Sequence, residues 1–160
     1  MKIVIAGGAG YLGKLLSSHF LKNPDNEVYI LSRSEKLNKK NLYYLKWNGK
    51  TESYWTQFLE HTDVLINLVG KSVDCRYTEP NKAEIYASRL DSTSILCKMV
   101  SKLTYPPKVF IQSSSATIYR HSENKLMTEK DGEIGVDFSM DVCKKWEAVF
   151  TAFHLPDRKS

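Results

Sequence analysis

Met1-Lys2-Ile3-Val4-Ile5-Ala6-Gly7-Gly8-Ala9-Gly10-Tyr11-Leu12-Gly13 opens the chain, and its reading decides the fold. Ile3 to Ala6 is a short apolar run of the kind that forms a strand buried on both faces. Gly7, Gly10 and Gly13 stand where a backbone turns sharply, lets a phosphate approach, and brings a helix close to a strand. The apolar pattern then resumes as Tyr11-Leu12-Gly13-Lys14-Leu15-Leu16, the start of a helix. Bare amides at that helix start, with the positive end of its dipole, suit a pyrophosphate and need no charged side chain. A glycine pattern alone also serves an ordinary tight turn. Its place after a strand and before a helix, with the next strand ending about twenty residues on, supports a dinucleotide cradle formed by Gly7, Gly8, Ala9, Gly10, Tyr11, Leu12 and Gly13.

Outward from that turn, strands and helices alternate. The first helix is expected over Tyr11 to Lys22, Asn23-Pro24-Asp25-Asn26 is a turn, and Glu27 to Ser32 reads as a second strand. The tip of this strand faces the adenosine ribose in a nucleotide fold, where an acid binds the 2′-hydroxyl and an arginine accommodates a 2′-phosphate. Here the tip is Ser32-Arg33-Ser34, with no carboxylate before Glu35, which favours NADP over NAD. A short edge strand is expected at Asn41 to Trp47, a short helix at Ser53 to His61, and a buried strand at Asp63 to Gly70. Thr78 caps and Pro80 starts a long helix to about Lys102. Pro106-Pro107 stops it, and Lys108 to Gln112 is a fifth strand running into Ser113-Ser114-Ser115-Ala116-Thr117-Ile118-Tyr119. Arg120 to Gly135 reads as a loop, and Val136 to Phe153 carries a last helical pattern with Phe138, Val142, Trp146, Val149 and Phe150 on one face. The βα alternation predicts a Rossmann-like doubly wound parallel sheet in three α/β/α layers, with about five strands in one domain over residues 1–153 and a tail at 154–160.

Composition narrows the function classes. The formal net charge is +5, but 23 basic residues are scattered among 18 acidic ones, a solvated surface and not a nucleic-acid footprint. Cys75, Cys97 and Cys143 are odd in number, far apart and without a C-x-x-C pair, which fits a reducing compartment and no metal site. Neither a signal peptide nor an apolar run of membrane length is present, so a cytoplasmic protein is expected, with no membrane partner.

Several motifs in order carry a resemblance. The glycine turn, Asn67-Leu68-Val69-Gly70 and Ser113-Ser114-Ser115-Ala116-Thr117-Ile118-Tyr119 resemble the extended short-chain dehydrogenase/reductases, often labelled nucleoside-diphosphate-sugar epimerases. Within them, Ile66 to Gly70, Arg76-Tyr77-Thr78, Ser88-Arg89-Leu90-Asp91-Ser92-Thr93 and Cys143-Lys144-Lys145-Trp146-Glu147 look like the YfcH-like epimerase branch, with its N-L-A-G, R-W-T, S-R-x-x-x-T and C-x-x-W-E pattern. The resemblance implies an NADP(H)-binding domain, NAD being the alternative, in an oxidoreductase that moves a hydride at a carbonyl or hydroxyl of an unknown small molecule. It implies that Gly7, Gly10 and Gly13 hold the pyrophosphate and that Ser32 and Arg33 meet the adenosine ribose or its phosphate. Asn67, Leu68, Val69 and Gly70 then border the nicotinamide-side ribose, with Ser113 beside the cofactor. Ser114 and Ser115 fall where the family keeps its catalytic serine, and Tyr119 is the nearest further hydroxyl.

Two departures qualify that inheritance. Active members carry a Tyr-x-x-x-Lys pair on the following helix, the lysine lowering the tyrosine's pKa. Setting Glu147 against the acid that follows that pair puts Ser139 at the tyrosine and Cys143 at the lysine, so a catalytically silent dinucleotide-binding or interaction module is the alternative function. Family members also continue for well over a hundred residues, so the C-terminal strands and substrate lobe are expected to be missing here. The resemblance further implies a weak homodimer through the helices Pro80 to Lys102 and Phe138 to Phe153, for which Ile85, Leu96, Met99, Val100 and Leu103 supply an apolar stripe and Tyr86 and Leu90 extend it.

Overall fold

The computed structural model describes residues 1–34 and 36–153. Glu35 and the tail, 154–160, lie outside the described residues. Five parallel strands form one sheet: β1 (Lys2–Ala6), β2 (Glu27–Ser32), β3 (Leu42–Lys46), β4 (Val64–Asn67) and β5 (Val109–Gln112), in the order β3-β2-β1-β4-β5. β1 is central because Ile3 to Ala6 are apolar without interruption, and all four are fully buried.

Register divides the apolar residues between two faces. Ile3 lies between Val28 and Val64, and Ile5 between Ile30 and Ile66. This face packs under α1 (Tyr11–Phe20) through Leu16 and Phe20. Val4, Ala6, Leu31, Leu45 and Leu65 face the other way, against Trp55 and Leu59 of a 3-10 helix (Tyr54–Leu59) and Ile95, Leu96, Met99 and Val100 of α2 (Glu79–Val100). α3 (Phe138–Ala152) joins α2 on this second face. Trp146 Nε1 donates to Thr93 Oγ1 (2.9 Å), Phe150 packs edge-on against Phe110, and the Tyr86 hydroxyl donates to the Asp141 carboxylate. Burial, and after it the Asp141 contact, pushes the Tyr86 hydroxyl up to about 12.

The expected elements form with shifted ends, each for a local reason. α1 stops at Phe20, two residues before Lys22, because the buried Asn26 donates its side-chain amide to the Phe20 carbonyl (2.8 Å). The segment expected as a helix to His61 closes as a six-residue 3-10 helix, and His61 takes a positive φ of 55°. β4 ends at Asn67 and not Gly70: Leu68 N–H still donates to the Ala6 carbonyl (2.9 Å), but Val69 N–H turns back to Asn67 Oδ1 (3.1 Å). The loop after Tyr119 is pinned to its own start. Tyr119 bridges Ile134, and Glu133 pairs with both Arg120 and Lys125, which holds its carboxyl down at about 2. The stripe expected to carry a dimer interface is already spent inside the chain: Ile85, Leu96, Met99 and Val100 are buried, and Leu103 packs against the same core.

The chain leaves β1 for β2 on one side, and returns from β3 to β4 on the other side. The connections therefore lie on opposite faces, and a crevice opens where the carboxyl ends of β1 and β4 part.

Candidate functional site

That crevice holds a cavity of about 730 Å³. Its floor is the glycine turn. Gly7 has φ +75°, and a side chain there meets the backbone of Leu68 and Val69 at 3.0 Å, so the β1 and β4 turns pack backbone on backbone. A Cβ on Gly13 meets Gly8 backbone atoms at 2.3–2.5 Å, which is how α1 lies so close to the turn. Gly10 is different: a Cβ there finds only the Gly7 carbonyl oxygen, at 3.5 Å, and otherwise points into open space. Gly10 is also the N-cap of α1, with no side-chain cap and no acid in the first turn. The first-turn amides of α1 have no carbonyl one turn back. The positive end of the helix is thus left for an outside anion.

At one end of the cavity stand Ser32, Arg33 and Ser34 beside Trp47, Asn48, Gly49 and Lys50. The two segments follow neighbouring strands: Ser32 pairs with Lys46, and Trp47 N–H donates to the Ser32 carbonyl (2.8 Å). Arg33 is exposed and has no ion-pair partner among the described residues. Trp47 is buried, and its indole N–H has no acceptor among the described residues. A buried donor left in that state needs an acceptor from water or a ligand. The opposite wall is the β4 turn, Leu68 to Ser72, and a stripe on α2 at helical spacing, Glu84, Ala87, Ser88 and Asp91. Lys71 pairs with Glu84 and keeps that carboxyl below its ordinary value, with the charge of Arg33 adding to the effect.

Beyond the β4 turn, three separate motifs and Gln112 of β5 join into one network. Asn67, fully buried, donates to Gln112 Oε1 (2.9 Å) and Thr93 Oγ1 (3.1 Å), and Thr93 accepts from Trp146. Arg89 lies over the Trp146 ring, 5.2 Å from its centre, and donates to the Lys71 and Ile85 carbonyls, both at 3.2 Å. Its guanidinium lies so near Gly70 that a Cβ there meets it at 3.1 Å. Burial lowers the Arg89 pKa, opposed by Cys143 and Tyr77.

Of the expected cofactor residues, Gly7, Ala9, Gly10, Ser32, Arg33, Leu68, Val69 and Gly70 line the cavity. Gly8 and Gly13 pack behind the turn, Tyr11 and Leu12 are exposed on the first turn of α1 outside the cavity lining, and Asn67 spends its side chain on positioning. Ser113 sits at the end of β5, its amide donating to the Asn67 carbonyl (3.1 Å). Ser114 contacts the Glu147 carboxylate, and Ser115 shares a hydrogen bond with Thr117 Oγ1 (2.9 Å) while accepting from the Thr117 amide. Tyr119 turns its ring onto Gly132. Cys143 Sγ lies 3.6 Å from Thr117 Oγ1, so the helix position assigned to the family's lysine does face the strand-end hydroxyls. Lys50, Trp47 and the α2 stripe had no expected site role, and Glu147 entered only through its motif with Trp146; of the first three, the stripe alone had a signal, its polar i, i+4, i+7 spacing opposite the apolar one.

The sequence profile of the NAD dependent epimerase/dehydratase family matches residues 3–135. The chain belongs to this family. Among its relatives are the epimerase family protein YfhF of Bacillus subtilis, 36% identical over 148 residues, and mouse SDR39U1, 28% identical over 151 residues. Each alignment covers 92% of this chain and 48% of the relative, so this epimerase-family chain spans about half their length. Its fold is that of human SDR39U1 solved with NADPH (TM-score 0.74, 23% identity, 99% of this chain and 50% of that one). It is also that of the Bacillus cereus UDP-glucuronic acid 4-epimerase solved with UDP-glucuronic acid and NAD (TM-score 0.76, 18% identity, 98% and 54%). Among the described residues, no helix is long and apolar enough to cross a membrane.

Proposed function

We propose that this chain is the dinucleotide-binding half of an epimerase-like oxidoreductase and that it holds NADP(H). The observation that carries the reading is the uncapped glycine turn, Gly7 to Gly13, opening onto a cavity with Arg33, which has no ion-pair partner among the described residues, at one end. The family match and the dinucleotides in the human SDR39U1 and Bacillus cereus structures support it. In this reading the first-turn amides of α1 bind the pyrophosphate, Ser32 and Arg33 bind the adenosine ribose and its phosphate, and Leu68 to Gly70 border the nicotinamide ribose. When bound, the cofactor supplies or accepts the hydride at a carbonyl or hydroxyl carbon of a small molecule. The chain's part is to place Ser114 and Ser115, with Tyr119 as the remaining hydroxyl, near the reacting oxygen and to stabilise charge there. An equilibrium titration of NADPH and NADH tests the binding claim. Saturable binding with NADPH the tighter, and a weakening of that preference in Arg33→Ala, is expected; tighter NADH binding by the unaltered chain refutes the role of Arg33.

A second reading rests on one observation, Cys143 facing Thr117 where a lysine would lower a tyrosine's pKa. A thiol supplies no positive charge, so the chain then binds the dinucleotide without turnover and acts as a sensor or interaction module. NADPH-dependent reduction of any of a panel of carbonyl compounds, abolished in Ser115→Ala, rules the silent reading out.

A further inference from the structure

The mouth of the cavity is spanned by an ion pair between its two walls, Lys50 Nζ to Asp91 Oδ2 at 3.3 Å. Lys50 comes from the turn after β3, and Asp91 from the polar stripe of α2. We propose that this pair is a clasp that sets cofactor choice: Lys50 leaves Asp91 for the 2′-phosphate of an adenine dinucleotide, beside Arg33, and Asp91 is its competitor. The proposal rests on the reading of the cavity as a dinucleotide site, and it adds a second cation and an opposing acid that sequence motifs do not assign.

Placement comes first. Arg33 and Lys50 line the same cavity, on turns that follow adjacent strands tied by the Trp47 amide to the Ser32 carbonyl. Lys50 is also presented from a fixed backbone. Asn48 Oδ1 accepts from the amides of Lys50 (2.9 Å) and Thr51 (3.0 Å), and Asn48 Nδ2 donates to Thr51 Oγ1 (2.7 Å). Gly49 takes φ +77°, and Trp55 Nε1 donates to the Thr51 carbonyl (3.2 Å), which ties the turn to the 3-10 helix. Exchange of partners therefore needs only rotation of the Lys50 side chain.

The energetic direction also favours exchange. The side chains of Lys50 and Asp91 are 63% and 41% exposed, so their attraction is weak and screened by salt. A phosphate monoester carries close to two charges and three strong acceptor oxygens, and offers an ammonium more than one carboxylate does. A ribose with a free 2′-hydroxyl gives Lys50 no reason to leave Asp91.

The two members of the pair must then act with opposite sign. Calorimetric titration of NADPH, NADH, 2′,5′-ADP and 5′-AMP against the full chain tests this. In Lys50→Met, NADPH and 2′,5′-ADP are expected to bind about 10-fold more weakly, the loss of one charge-assisted hydrogen bond, while NADH and 5′-AMP change by less than about twofold. Lys50→Arg retains the preference. Asp91→Asn is expected to tighten NADPH by roughly twofold to fivefold with NADH unchanged, as removal of a weak competing ion pair allows. Equal weakening of both dinucleotides by Lys50→Met, no change in either, or weaker NADPH binding in Asp91→Asn overturns the clasp. Failure of the unaltered chain to bind any of the four ligands instead overturns the dinucleotide reading itself, and the clasp with it.

Discussion

Gly10→Ala separates the two jobs a glycine turn can do, holding a fold together and admitting a ligand. Gly10 has φ −76° and ψ −176°, extended backbone that alanine adopts freely, and its new Cβ makes one ordinary contact at 3.5 Å. At an N-cap, alanine is poorer than glycine by about 0.5–1 kcal/mol. Restricting the unfolded chain returns about 0.4–1 kcal/mol. The net change is within about 0.5 kcal/mol, or roughly 2 °C in Tm for a domain of this size. Binding should respond quite differently, because the same Cβ stands where a phosphate approaches the α1 amides. Loss of one or two charge-assisted hydrogen bonds weakens NADPH about 10- to 100-fold. Gly13→Ala inverts the outcome: its Cβ meets Gly8 backbone at 2.3 Å, contacts that cannot yield, and overpacking costs about 1–3 kcal/mol. Thermal unfolding and calorimetric titration of both variants are the assays. Gly10→Ala with unchanged Tm and unchanged NADPH affinity refutes the cradle.

Three further outcomes follow from the packing. Asn67→Ala leaves Thr93, Gln112 and the Val69 amide short of a partner, and should cost about 1–3 kcal/mol in urea unfolding; a cost under about 0.5 kcal/mol contradicts the network. Glu133 has a folded pKa of about 2 against an ordinary 4.5, chiefly through Arg120 and then Lys125, so its contribution is present above about pH 4.5 and is lost as pH falls through 2. The stability difference between the unaltered chain and Glu133→Gln should shrink across that window, and a difference that stays constant down to pH 2 removes the pairing. Met99 is 2% exposed within the core, so Met99→Glu buries an unpaired charge at roughly 3–5 kcal/mol. It should lower Tm by more than about 6 °C; an undisturbed Tm places Met99 at a surface after all.

Much of the fold was legible because its signals are local. Ile3 to Ala6, the glycine turn and the alternation of apolar runs fixed the strands, the parallel sheet and the edge position of β3. Element ends were less legible because tertiary partners decide them, as Asn26 does for α1 and the Asn67 side chain does for β4. The apolar stripe on α2 could not be assigned to core or interface from spacing alone. Either surface takes the same residues, and the helix spends Ile85 and Met99 inside the chain. At the site, glycines and Arg33 stand in a motif and could be read, whereas Lys50 and Trp47 enter the cavity only because β3 runs beside β2. The joining of Asn67, Thr93, Arg89 and Trp146 likewise depends on how α2 and α3 dock, although all four stood in the quoted motifs, Arg89 and Thr93 in the same one.

Amide chemical shifts of the isotope-labelled chain, followed as NADPH is added, test the central claim most directly. Saturable changes are predicted at Gly7 to Gly13, at Ser32 and Arg33, at Trp47 to Lys50 and at Leu68 to Lys71, with the amides of the glycine turn among the most strongly shifted. The absence of saturable change, or changes confined to surfaces away from the crevice between β1 and β4, contradicts it.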